Sequence, residues 1–408
     1  MNQFDALLKC DGVAAAFNRK MSQARKDSFP EYLARLLKNY KKTFFNLPWD
    51  FGSDENNKKY DRFKKGIQKH IDTMNKGIND SIAYYLEGRP SEAYQAFAKM
   101  MDFTIPSSTD FIPTGRSVKH LYTNDTMFFD EPPRLFRMRA SLEQFDVTER
   151  KHIFHVPFED RHKIRSARYS ILGFPCLYLG GSLYTCWEEM GRPNFDNIFF
   201  SRFKGNRHFN VLLVAWRSPR NLVNRFNKQF SQDNGFDRAL HDFVKYFARW
   251  PLDLACAIPR KEGNAIFHPE YIIPQLLLQW MIQDGSYDAL CYRSVRIPDD
   301  DITDDWRMNL NFVFPPKAVK SKGYSKHLQD LFVFTDPISW ELAIALNDDP
   351  QLSQDFDKGI LRHDEYLKMK DACFAPVKGK AHRYVASDFG KAEILAATLN
   401  FLSLESCD

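Results

Sequence analysis

What this 408-residue chain lacks narrows the field first. Its seven cysteines include no CxxC pair, and several, such as Cys176 and Cys291, sit in apolar runs where a thiol behaves as a small buried hydrophobe. No stretch is long and apolar enough to span a bilayer, and the polar segment after Met1 has no apolar signal region. The expectation is a cytoplasmic protein with reduced thiols and no membrane, in which the sequon Asn124-Asp125-Thr126 is a chance match. There is no P-loop and no Rossmann glycine pattern, which excludes a dinucleotide held in the usual way as a bound redox cofactor. His152, His155 and His162 lack zinc spacing. Asp299, Asp300, Asp301, Asp304 and Asp305 lack the alternating ligands and central glycine of a calcium loop, so no metal is expected. A net charge of +5 fits an anionic substrate or a basic surface, and does not by itself indicate nucleic acid.

What is present is a large aromatic load, 36 Phe, in a chain long enough for two or three domains. The first hundred residues carry apolar positions at helical spacing. Ile67, Ile71, Met74, Ile78, Ile82 and Tyr85 predict one helix, stopped by Gly88, and Pro90-Ser91-Glu92 opens another that runs to about Met101. Lys38, Lys41, Lys42, Lys58, Lys59, Lys64 and Lys65 interleave with Tyr40 and Phe44, a pattern that suits nucleic acid, but acidic residues among them favour the solvated face of a bundle. The segment from Ile105 to Gly115 reads as a linker, and Pro132-Pro133 introduces a second domain. Beyond it, Phe209–Trp216 and Leu310–Phe314 predict strands. Phe243–Trp250 predicts an aromatic helix stopped by Pro251, and Tyr271–Met281 a helix with Pro274 in its first turn. After Lys317 come a strand at Leu331–Phe334 and helices near Trp340–Leu346 and Gly390–Leu402. The expected division is a helical domain over 1–115, a catalytic domain over 116–316, and an α/β extension over 317–408.

The most informative stretch runs from Arg165 to Arg192, RSARYSILGFPCLYLGGSLYTCWEEMGR. Arg168 precedes a turn at Gly173-Phe174-Pro175, Cys176–Leu179 reads as a buried strand, and Gly180-Gly181-Ser182 is a break that can cap a helix carrying Glu188 and Glu189. A guanidinium, a strand tyrosine and a helix carboxylate in this order can converge on an anionic, aromatic-containing substrate.

This stretch resembles the RES domain, named for Arg, Glu and Ser and found in bacterial NAD-degrading toxins. In that pattern an early strand carries an Arg, here Arg137 in LFRMR. A second Arg precedes a Gly/Pro turn and a Tyr-bearing strand, matching Arg168, Gly173, Pro175 and Tyr178. The family Glu follows after a helical stretch, in a register that selects Glu189 over Glu188. The family Ser ends a later strand, at Ser294 of YDALCYRS. The resemblance covers about Arg134 to Pro316, and the chain departs from shorter members between Arg192 and Tyr271.

The resemblance implies a mixed α/β (α+β) protein in which a helical N-terminal domain precedes an ADP-ribosyltransferase-like domain with antiparallel sheets. It implies cleavage of the nicotinamide–ribose bond of NAD, a substrate here and not a cofactor, with water, phosphate or a macromolecule as acceptor. The sugar becomes oxocarbenium-like, as in glycoside cleavage. Arg137 and Arg168 would hold phosphates bidentately, Tyr178 would stack on nicotinamide, Glu189 would meet the ribose, and Ser294 would hold a phosphate or orient a neighbour. Plainer readings stand beside these: ion-pair arginines, a core tyrosine, and a serine capping a turn before Ile297-Pro298. The implied biology is a toxin or defence effector restrained by an antitoxin or regulatory protein, with its oligomeric state left open and the first helices regulating the enzyme or recruiting a partner. The alternatives are ADP-ribosyl transfer to a macromolecule, or a non-catalytic protein that binds nucleic acid or a partner.

Overall fold

Apolar spacing and capping chemistry set the helices. The computed structural model describes residues 6–7, 9–15, 25–102, 134–141, 147, 149–215, 236–261, 265–297, 306–347, 373–374 and 382–404. The expected linker at 105–115, Pro132-Pro133, the sequon at 124–126, the aspartate run at 299–305 and Cys407 lie outside them. In chain order the principal elements are α1 (Phe29–Asn46), α2 (Asp54–Leu86), α3 (Pro90–Met101), β1 (Leu135–Ala140), β2 (Leu177–Gly180) and α4 (Leu183–Glu189). Then follow β3 (Ile198–Gly205), β4 (Val211–Val214), α5 (Phe236–Ala257), α6 (Ile272–Asp284), β5 (Ala289–Arg293) and β6 (Leu310–Phe314). Last come β7 (Phe332–Phe334), β8 (Ile338–Ser339), α7 (Trp340–Asn347) and α8 (Asp388–Thr398). No helix among the described residues is long and apolar enough to cross a membrane.

The chain packs as two units: 1–123 with 167–169 and 213–284, and 124–166 with 170–212 and 285–408. This differs from the three consecutive segments expected from sequence, for a physical reason visible in the first unit. There α2 starts at Ser53, whose Oγ accepts from the Asn56 amide at 3.2 Å, and stops before Gly88, at φ +78°. Ile67, Ile71, Met74, Ile78 and Ile82 of the predicted face are buried, while Tyr85 at its end is only partly so. The core is closed by the later helices α5 and α6. Phe243 and Phe247 of α5 enter a ring cluster with Phe44, Trp49, Phe51 and Tyr60; the centroids of Trp49 and Phe243 lie 4.9 Å apart, and those of Phe44 and Phe247 5.6 Å. Tyr40 and Phe44 are fully buried and cannot stack on bases.

α5 corrects one expectation, because it runs through Pro251. A proline at that position has no N–H for the carbonyl of Phe247, four residues earlier. The Tyr40 hydroxyl donates to that carbonyl at 2.6 Å, so the buried acceptor is satisfied from outside the helix.

The second unit is built on a sheet of order β4-β5-β6-β2-β1-β3-β7, with β8 also pairing β3 and the unit boundary passing through β4. Its described pairings within this unit are antiparallel. Phe136 and Met138 of β1 and Phe200 of β3 pack on Leu183 and Tyr184 of α4, with Trp340, Phe389 and Leu395 completing the cluster. The residues after Lys317 thus finish this sheet and its covering layer. On the opposite face Phe154 stacks on Phe334, and Phe334 on Phe203, with centroids 5.5 and 4.5 Å apart. The class is mixed α/β, with a helical N-terminal region and antiparallel strands, as the sequence led us to expect.

Candidate active site

α4 is a seven-residue helix, so its position depends on what holds its ends. The turn before it requires glycine: a Cβ on Gly181 would lie 2.2 Å from the Arg307 carbonyl oxygen. Ser182 then caps the helix, its Oγ accepting from the Thr185 amide at 3.1 Å and donating to the Met308 carbonyl at 2.8 Å. The first amide, Leu183 N–H, donates to Oε1 of the buried Glu393 on α8 at 2.6 Å. The Tyr384 hydroxyl donates to the same oxygen at 2.7 Å. Burial pushes Glu393 up to about 7, against the opposing pull of Arg134 and of these donors.

At the other end of α4 the two glutamates part company. Glu188 is buried, and both its oxygens meet Arg192, at 3.0 and 2.8 Å. Glu189 is about 30% exposed at the side chain, enough to be reached by a ligand. Its Oε1 accepts from Ser294 Oγ at 2.6 Å and from Asn311 Nδ2 at 2.8 Å, while Arg296 Nε lies 3.5 Å from Oε2. Ser294, fully buried, follows β5; its amide donates to the Asn309 carbonyl at 2.8 Å, and its Oγ accepts from the Arg296 amide at 3.2 Å. Asn311 sits in β6 opposite Gly180.

The remaining expected residues lie apart from this contact. β1 and β2 are joined by a single pair, Phe136 with Gly180, and Arg137 Nη1 donates to the Tyr178 carbonyl at 2.7 Å where they diverge. Strand alternation places Tyr178 on the same face as Asn311, and Arg137 on the opposite face from Phe136 and α4. Burial pushes Arg137 down to about 9, with Arg139 adding to the effect. No carboxylate pairs with Arg137 among the described residues, and its buried Nε has no hydrogen-bond partner there. Burial raises the Tyr178 phenol well above its ordinary value. Arg168 belongs to the helical unit. It is buried there and donates to the carbonyls of Cys256 and Ile258, at 3.0 and 2.9 Å, with its guanidinium 5.2 Å from the Tyr271 ring centre.

The structure therefore brings Glu189 and Ser294 into contact and ties Arg137 to Tyr178 through the main chain. Asn311, Arg296 and Glu393 were missed. The one signal for Asn311 was a polar residue inside the apolar strand LNFVF; Arg296 and Glu393 carried none. No group of metal-ligating side chains occurs among the described residues.

Glu189 and Ser294, the residues singled out by the resemblance to the RES pattern, are thus hydrogen-bonded neighbours. The chain belongs to the RES domain family, which matches residues 143–331. A protein of Bacillus subtilis (strain 168) named "Putative toxin YopC" is 32% identical over 369 residues, or 90% of this chain and 75% of that protein. No solved structure matches. Arg168, Tyr178, Glu189, Ser294 and Asn311 fall within the matched residues, whereas Arg137 precedes them.

Proposed function

We propose that this protein is an NAD-degrading enzyme that cleaves the nicotinamide–ribose bond and acts as a toxin by depleting NAD. The observation that carries the reading is Glu189. It is partly exposed and held through Oε1 by Ser294 and Asn311, whereas the adjacent Glu188 is neutralised by Arg192. A fixed carboxylate with an accessible oxygen can accept a ribose hydroxyl and oppose the positive charge that develops as nicotinamide leaves. The toxin role rests on the name borne by the Bacillus relative, and restraint by an antitoxin protein goes with it.

The test is incubation of the purified, folded protein with NAD, with and without inorganic phosphate, following nicotinamide by chromatography. Release that depends on Glu189 supports the reading, and the phosphate dependence separates a hydrolase from a phosphorylase. Intact NAD after prolonged incubation overturns it.

A further inference from the structure

Ser294 and Asn311 both address the same oxygen of Glu189. Asn311 is nearly buried in the sheet, and its amide donates to Oε1 at 2.8 Å from β6; Ser294 donates to that oxygen at 2.6 Å from the end of β5. Oε2 is differently placed: its described neighbour is Arg296 Nε at 3.5 Å, on a partly exposed side chain. A carboxylate has about four lone-pair positions. Two donors on one oxygen fix the carboxylate plane and leave the other oxygen, on a side chain about 30% exposed, with Arg296 as its described neighbour.

We propose that Asn311 is a positioning residue which, together with Ser294, dedicates Oε1 of Glu189 to the protein and presents Oε2 to the substrate. This rests on the reading of Glu189 given above. The choice of Asn matters chemically. Its amide donates and bears no charge, so it orients an ionised carboxylate without pairing with it. An aspartate at this site would have the same shape but would place a second carboxylate at hydrogen-bond distance, and two such groups hold a proton between them. A leucine would keep the bulk and leave Oε1 with the Ser294 donor alone.

The experiment compares wild type, Asn311→Asp and Asn311→Leu in the full chain, after circular dichroism establishes that each is folded. Nicotinamide release is followed across pH and NAD concentration. The Glu189 side-chain carboxyl is titrated separately by carbon NMR on glutamate-labelled protein, with Glu189→Gln identifying its signal. We expect Asn311→Leu to lower kcat by about 10- to 100-fold, the loss of a hydrogen bond to a charged group, with KM changed less than about threefold. Asn311→Asp should move the acid limb of the rate profile and the Glu189 titration upward by about one pH unit or more. A purely structural asparagine would lower stability and leave kcat of folded Asn311→Leu within about threefold of wild type. Unshifted profiles in folded Asn311→Asp would overturn the proposal, as would loss of the fold in both variants. If wild type releases no nicotinamide, the NAD reading fails, and the Glu189 titration alone decides whether Asn311 governs this carboxylate.

Discussion

Neutralising either glutamate of α4 is a one-atom change, yet the surroundings predict opposite consequences. Glu189→Gln keeps the side chain's volume and an oxygen to receive the Ser294 and Asn311 donors, now at 2.6 and 2.8 Å, so the fold should stand. What disappears is a negative charge at the reacting sugar. A preorganised electrostatic contact of this kind is worth about 2.7–4 kcal/mol, or about 100- to 1,000-fold in kcat. Glu188→Gln removes a charge that faces Arg192, whose side chain is 55% exposed and can turn to water. That change should lower stability by about 1 kcal/mol and kcat by less than about threefold. Initial rates of nicotinamide release over a range of NAD concentrations, with urea midpoints for each variant, separate the two effects. An essential Glu188 beside a dispensable Glu189 would refute the assignment and the reasoning from exposure behind it.

Arg168→Lys should destabilise the folded protein by about 1–3 kcal/mol, because one ammonium cannot reproduce the fork that serves two backbone carbonyls; an unchanged urea midpoint with a raised KM for NAD would instead make it a substrate contact. Tyr40→Phe should cost about 1–3 kcal/mol by stranding the Phe247 carbonyl, and distinctly less in a Pro251→Ala background, where residue 251 regains an N–H. Equal costs in both backgrounds in urea unfolding would show that the proline is not what makes Tyr40 necessary. Glu393 has a folded-state value of about 7, above its unfolded one. Its contribution to stability is therefore whole below the ordinary carboxylate range, about 4.3, and is lost as pH rises to about 7. Relative to wild type, Glu393→Gln should gain stability between pH 5 and pH 8, and a pH-independent difference in urea midpoints would count against this.

Local chemistry made much of the molecule legible. The end of α2 and the start of α3 follow Gly88 and Pro90, and the strand around Tyr178 and the cap at Ser182 follow Pro175 and Gly181. What sequence could not supply was partnership across long separations. Pro251 signals a helix end by every local rule, and only Tyr40, more than two hundred residues earlier, makes continuation affordable. The membership of α5 in the first unit's core is invisible in its own periodicity, because an aromatic stripe does not say which rings it will meet. At the site, the Glu and Ser were recognisable from their ordered pattern. Asn311 and Glu393 act through contacts 122 and 210 residues distant in sequence from α4, which no local window spans.

The interleaving of the two units has a consequence for the order in which the ribosome delivers the parts. Domains tend to fold as their residues emerge, N-terminal first. Here the helical unit awaits Asp284 for its last helix, and the sheet unit, begun at β1, waits for everything after Gly285. Glu189 is made early, but the serine and asparagine that hold it come more than a hundred residues later, and the carboxylate at the head of its helix later still. A nascent chain interrupted before β6 carries the glutamate without the clamp. The site is assembled only once Asn311 and Glu393 have been made, so a chain that stops short of them lacks the arrangement on which the proposed chemistry depends.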